Sequence, residues 1–185
     1  MSKSKKDILN ETYQKKTQKE HIKDAPDTYV GAVEPDEITN WSFNNEGDIT
    51  HHSYTWTPAL YKLFDESIVN CRDHFIRLQQ KSLNKEENII PVTMIDVSVD
   101  KKTGIITLMN DGNGIDVAQH PEHKLWIPEM IFGHLMTSTN YKKTEKKIVG
   151  GKNGFGIKLV FIYSKWARLE TIDHIRKKKY VQEFK

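Results

Sequence analysis

Cysteine is nearly absent from this chain: Cys71 is the only one in 185 residues. A single thiol excludes an intrachain disulfide framework and fits a reducing compartment. Long apolar runs are missing too. None approaches the roughly 20 residues that cross a bilayer, and the opening MSKSKKDILN lacks the apolar centre of a secretion signal. No membrane partner and no secretion are therefore expected. The phosphate-binding pattern Gly-x-x-x-x-Gly-Lys-Ser/Thr does not occur, which excludes a P-loop. There is no internal repeat. Charge of one sign is scarce as well: 28 Lys and Arg against 25 Asp and Glu leave +3, with a pI of about 8.8. That balance suits an anionic partner without requiring one.

Residues 1–24 carry seven lysines against four acidic groups and only isolated apolar side chains, which reads as a frayed or weakly helical charged arm. Residues 25–185 read as one domain. DAPDTYVGAVEP reads as extended and turned, because Pro26 biases Ala25 away from helix. Two strand-like pieces flank Asn44-Asn45-Glu46-Gly47, and two more flank Lys101-Lys102-Thr103-Gly104. Pro58 opens the clearest helix, ALYKLFDESIVNCRDHFIRLQQ. WIPEMIFGHLMTS and GIKLVFIYS have helical character, and WARLETID with KKYVQEF add two final strands. Helices and hairpins are mixed rather than strictly alternating, which favours an α+β sandwich over a doubly wound sheet.

Three pieces carry possible chemistry. On the long helix, Phe64, Ile68, Cys71 and Phe75 share one stripe at about 100° per residue, and Glu66, Asn70 and Asp73 share another, nearly opposite. No lysine is interleaved among those three residues, although the chain is lysine-rich. A carboxylate and an amide one turn apart suit a general base and a magnesium ligand, since magnesium takes few protein oxygens and completes its shell with water and phosphate; plain solvent exposure is the alternative. The second piece is Asn110-Asp111-Gly112-Asn113-Gly114-Ile115 at a strand end, able to bring backbone close to a ligand or to be an ordinary turn. The third, IVGGKNGFGIK at 148–158, has four glycines in seven positions just before an apolar helix. Clustered N–H groups at a helix start form an anion site.

The order of these pieces is more specific than any one of them. It resembles the nucleotide motifs of the GHKL ATPases, and within them the eukaryotic and large-virus branch of type II DNA topoisomerase. The strings that carry the likeness are PDTYVG, PALYKLFDESIVN, NDGNGI, IFGHLMTSTNY, VGGKNGFGIKL and WARLET, spread from about residue 22 to 185. The resemblance implies a two-layer α/β sandwich of the GHKL (Bergerat) type, incomplete at its C-terminal end because the transducer and DNA-cleaving regions of the family lie further on. It implies ATP and magnesium as cofactors. Glu66 would be the general base, Asn70 the metal and phosphate ligand, and Asp73 a support on the same face. Asn110 would accept the adenine amino group, and Ser138, Thr139 and Asn140 would contact ribose and phosphate. Gly151, Lys152, Asn153, Gly154, Phe155, Gly156, Ile157 and Lys158 would wrap the triphosphate. Tyr29 would reach the partner subunit's nucleotide.

The function implied is the ATPase part of an enzyme that passes one DNA duplex through a double-strand break in another, with double-stranded DNA as partner and a homodimer closing on ATP. A nuclear location follows, or a cytoplasmic replication site for a virus. Another GHKL ATPase, such as a chaperone or mismatch-repair protein, and a non-catalytic ATP-binding module are the competing readings.

Overall fold

The computed structural model describes Tyr13 and residues 15–135 and 154–185. The chain first forms a seven-residue helix, α1 (Gln18–Asp24), closed at its start by a capping box. The Thr17 hydroxyl accepts from the Glu20 N–H at 3.3 Å, and the Glu20 carboxylate accepts from the Thr17 N–H at 2.7 Å. α1 buries Ile22 completely, so the last turn of the charged arm joins the core.

The expected extended stretch after it is instead one helical turn, α2 (Pro26–Tyr29). Proline disfavours helix at the residue before it but suits the first helical position. Ala25 accordingly stays outside at φ −126°, and Val30 and Gly31 donate to the Pro26 carbonyl at 2.8 and 3.1 Å.

Three antiparallel hairpins follow, two of them at the turns that the sequence signals. β1 (Asp36–Phe43) pairs with β2 (Ile49–Trp56), β3 (Ile95–Asp100) with β4 (Ile105–Asn110), and β5 (Ala167–Asp173) with β6 (Lys178–Phe184). Asn44 builds the first turn, its side-chain oxygen accepting from the N–H groups of Glu46 and Asp48 at 3.0 and 2.8 Å. Asp100 builds the second through the Lys102 N–H and the Thr103 hydroxyl.

The long helix α3 (Pro58–Leu83) has proline in its first turn and runs 26 residues. Two shorter helices complete the helical layer: α4 (Ile127–Gly133) and α5 (Gly156–Tyr163). α5 packs against α1, α3 and α4, while α3 also touches β4 and α4 touches β6. The result is a mixture of helices and three separate two-stranded antiparallel sheets, the α+β class that the sequence predicts. No described helix is long and apolar enough to cross a membrane.

The core lies where α1, α2, the start of α3 and α5 meet. Ile22, Val30, Ala59 and Leu159 are its buried centre, ringed by Tyr29, Leu63, Leu135, Phe155, Ile162 and Tyr163. An aromatic row, Phe132–Phe161–Phe184, ties α4 to α5 and β6 with ring centroids 5.3 and 4.8 Å apart. The position of Ile22 gives a direct test. Ile22→Ala should cost about 2–5 kcal/mol of unfolding free energy, the range for emptying a fully buried aliphatic site. Denaturant titration checks it, and a loss below about 0.5 kcal/mol would mean α1 is not docked.

Candidate functional site

The polar stripe of α3 is not one uniform face. Asn70 is exposed, whereas Asp73 retains 3% of its accessible surface and Ser67 retains 8%. Asp73 lies 3.3 Å from the Arg72 guanidinium. Asn70 turns its Nδ2 onto the backbone carbonyl of Glu66. That bond fixes the sense of the amide and leaves Oδ1 as the outward acceptor.

Glu66 is held between two elements. Its Oε1 pairs with the Lys62 ammonium at 2.6 Å. Its Oε2 lies where a side chain on Gly156 would begin: a β-carbon built there falls 1.8 Å from it. The first residue of α5 must therefore lack a side chain for the carboxylate to occupy this place. Gly154, two residues earlier, has φ +67°, a left-handed conformation that glycine takes without strain. These two positions explain part of the glycine clustering.

Lys158, the third residue of α5, is 3% exposed and donates to the Gly154 carbonyl at 2.5 Å. Burial pushes its pKa down to about 8. Gly154 and Gly156, the Glu66 carboxylate and the Lys158 ammonium thus meet at the start of one helix. Ser138, Thr139, Asn140, Gly151, Lys152 and Asn153 lie outside the described residues.

The second glycine loop leaves β4 at Asn110, whose Nδ2 donates to the Asp111 carbonyl at 3.1 Å. Asp111 is occupied by its own surroundings. It accepts from the Thr93 hydroxyl and the Thr93 and Met94 N–H groups, which hold its carboxyl below the ordinary range. Gly112 turns at φ +97° close against Val92. Asn113 caps the neighbouring segment through Ile90 N–H, and its carbonyl meets His74 Nε2 of α3 at 2.7 Å. Burial lowers the pKa of that histidine, which favours the neutral ring with Nε2 as donor.

The far side of the loop rests on β5. A β-carbon at Gly114 would fall 1.9 Å from the Ile172 carbonyl oxygen. The Ile115 N–H donates to the Thr171 hydroxyl and the Val117 N–H to Asp173 Oδ2, both at 2.9 Å. Arg176 bridges Asp173, at 2.9 Å, and Asp116. Burial of Asp173 by itself would raise its pKa, but the Arg176 and Val117 N–H groups and the Arg176 guanidinium bring it down to about 2. Thr171, Asp173, His74 and Lys62 are the site-building residues that motif reading missed. Leu169, Thr171 and Asp173 alternate on the buried face of β5 while Ile172 is exposed, so the apolar pattern of A-R-L-E-T-I-D gave no signal at this end of the strand.

Tyr29 packs against the core cluster, its hydroxyl 3.0 Å from His21 Nδ1. Among the described residues no group of three or more His, Cys, Asp or Glu could hold a metal. A single amide oxygen, Asn70 Oδ1, remains a fitting donor for a cation that keeps its water and phosphate ligands.

The approach of Glu66 to Gly156 sits in a fold shared with solved structures. The ATPase region of Saccharomyces cerevisiae topoisomerase II superposes with a TM-score of 0.81 at 41% identity, over 94% of this chain and 43% of that one. The ATPase and transducer domains of DNA topoisomerase II from Balamuthia mandrillaris give 0.82 at 40% identity, over 94% and 41%. The fold is therefore that of a topoisomerase II ATPase region, of the GHKL type. DNA topoisomerase 2 of Acanthamoeba polyphaga mimivirus is 46% identical over 181 residues, and human DNA topoisomerase 2-beta 42% over 168. The chain belongs to the type II DNA topoisomerase family, in the branch shared by eukaryotes and large viruses. It spans 14% of the mimivirus protein and 10% of the human one. No family model matches it.

The Asp173 clamp makes a pH-dependent prediction. Its folded pKa of about 2 lies below the ordinary 3.8, so its stabilising contribution is full above pH 3.8 and fades as pH falls toward 2. Asp173→Asn should flatten that part of the stability profile. It should also cost about 1–3 kcal/mol at neutral pH, because the Val117 and Arg176 N–H groups lose their charged acceptor. Urea titrations between pH 2 and 7 test this, and parallel wild-type and variant profiles would contradict it.

Proposed function

We propose that this chain is the ATP-binding and ATP-hydrolysing part of a type II DNA topoisomerase, with Glu66 as general base. The observation that carries this reading is the Glu66 carboxylate lodged against Gly156 at the start of α5. A base must be fixed at the place where phosphate groups gather, and a glycine-rich helix start is such a place.

In this mechanism Glu66 Oε2 takes the proton from water attacking the γ-phosphate, and Lys62 keeps Oε1 occupied. Asn70 presents Oδ1 to magnesium, which when bound would neutralise phosphate charge. Gly151, Lys152, Asn153, Gly154, Phe155, Gly156, Ile157 and Lys158 wrap the triphosphate, the Lys158 ammonium adding positive charge at its base. Asp73, buried about one turn beyond Asn70, supports the helix face. Asn110 accepts from the adenine amino group, and Ser138, Thr139 and Asn140 hold ribose and phosphate. Tyr29 contacts the nucleotide of a second subunit. In the whole enzyme, ATP closes a homodimeric gate around double-stranded DNA, and one duplex passes through a break in another. Such an enzyme works where its genome is, in the nucleus or at a viral replication site.

Two substitutions separate binding from chemistry. Glu66→Gln keeps shape and hydrogen bonding but cannot take a proton. It should retain nucleotide affinity and lose about 10²–10⁴-fold in single-turnover hydrolysis in the full-length protein. Asn70→Ala should instead weaken binding of magnesium and a non-hydrolysable ATP analogue by about 1–3 kcal/mol, measured by calorimetry. Equal hydrolysis by Glu66→Gln and wild type would remove Glu66 from the mechanism. Undiminished binding by Asn70→Ala would remove the metal assignment.

A further inference from the structure

Lys62 lies one helical turn before Glu66, and its ammonium takes one carboxylate oxygen, Oε1, at 2.6 Å while remaining 3.6 Å from Asp65. The pair is partly exposed, with side-chain exposures of 43% and 26%. An ion pair of that kind adds little to stability. Its order along the helix, lysine before glutamate, is also the less favourable one for supporting a helix. Helix stabilisation is thus a poor account of it.

The other end of the same carboxylate explains more. Oε2 is lodged at Gly156, on a different helix. A glutamate has three side-chain torsions, and contact with a glycine gives it no side chain to lean on. One bond at Oε1 selects the rotamer that leaves Oε2 facing the glycine-rich helix start. It also divides the two oxygens: one is committed to an ammonium, the other keeps its lone pair for a proton. The pairing pulls the Lys62 ammonium above the usual lysine range, its hydrogen bond to Glu66 being the main cause, so the lysine stays charged through neutral pH.

We infer that Lys62 is a positioning residue for Glu66, holding Oε1 so that Oε2 is presented at Gly156 as the proton-accepting atom. The inference rests on the assignment of Glu66 as general base. Lys62 itself touches neither nucleotide nor water in this account. Its removal lets the carboxylate swing, and displacement of a reacting group by about 1 Å can cost as much as 10²-fold in rate.

The test is steady-state ATP hydrolysis by the full-length protein carrying Lys62→Met, Lys62→Arg, Glu66→Gln and the Lys62→Met/Glu66→Gln pair, with thermal melting alongside. Lys62→Gln runs as a second neutral variant in case methionine perturbs the helix. The expected result is a fall of about 10–100-fold in kcat for both neutral variants, with KM and melting temperature near wild type. Arginine, which carries the charge to the same oxygen, should restore most of kcat. In the Glu66→Gln background the Lys62→Met change should add less than about twofold, because two residues acting through one atom are not additive. Wild-type kcat in Lys62→Met, or independent losses in the pair, overturns the inference while Glu66→Gln remains inactive. Full activity in Glu66→Gln sinks the general-base assignment and this inference with it.

Discussion

The close approach of a side chain on α3 to the backbone of α5 is the constraint on which the site depends. Glu66 Oε2 occupies the space a β-carbon would need at Gly156, and everything around it keeps those two helices in that relation. Leu159 and Phe155 dock α5 onto the cluster built by Ile22, Val30 and Ala59. The Phe132–Phe161–Phe184 row fixes its other flank. Glycine weakens helices, by roughly 0.5–1 kcal/mol relative to alanine. At Gly156 the bare backbone leaves the space that the Glu66 carboxylate occupies.

A second set of contacts holds the loop after β4, and it is polar where the first is apolar. His74 reaches the loop from α3, and Thr171 and Asp173 reach it from β5. The loop backbone is thereby satisfied by side chains, as buried N–H groups must be. Gly114 has no room for a side chain because the Ile172 carbonyl is against it. At Gly156 the neighbour is instead the tip of a flexible glutamate. One glycine is closed in by backbone, the other by a side chain that can move.

Much of this was legible in the sequence. Asn44-Asn45-Glu46-Gly47 and Lys101-Lys102-Thr103-Gly104 announce their hairpins because turn residues act locally. Pro58 and the apolar spacing announce α3. The four-residue helix α2 was not legible, since one turn is too short to show a period and Pro26 reads equally as a breaker. The polar stripe Glu66–Asn70–Asp73 was visible as a stripe, yet the burial of Asp73 was not, because a charged residue on a polar face reads as exposed. The same holds for the clamp from β5: Ile115 to Thr171 and Val117 to Asp173 each span 56 residues. Such pairings leave no local pattern beyond the alternation of polar residues on the buried face of a strand.

The account's central claim is that the bare backbone at Gly156 places the Glu66 carboxylate for chemistry rather than for stability. Substitution of Gly156 by alanine tests it most directly, with melting, analogue binding and single-turnover hydrolysis measured on one preparation of the full-length protein. The new methyl group meets the movable end of Glu66, so the side chain should give way while the fold persists, and alanine also suits a helix better than glycine. The account predicts a melting temperature at or near wild type together with loss of hydrolysis by about tenfold or more. Hydrolysis at the wild-type rate in Gly156→Ala would contradict it.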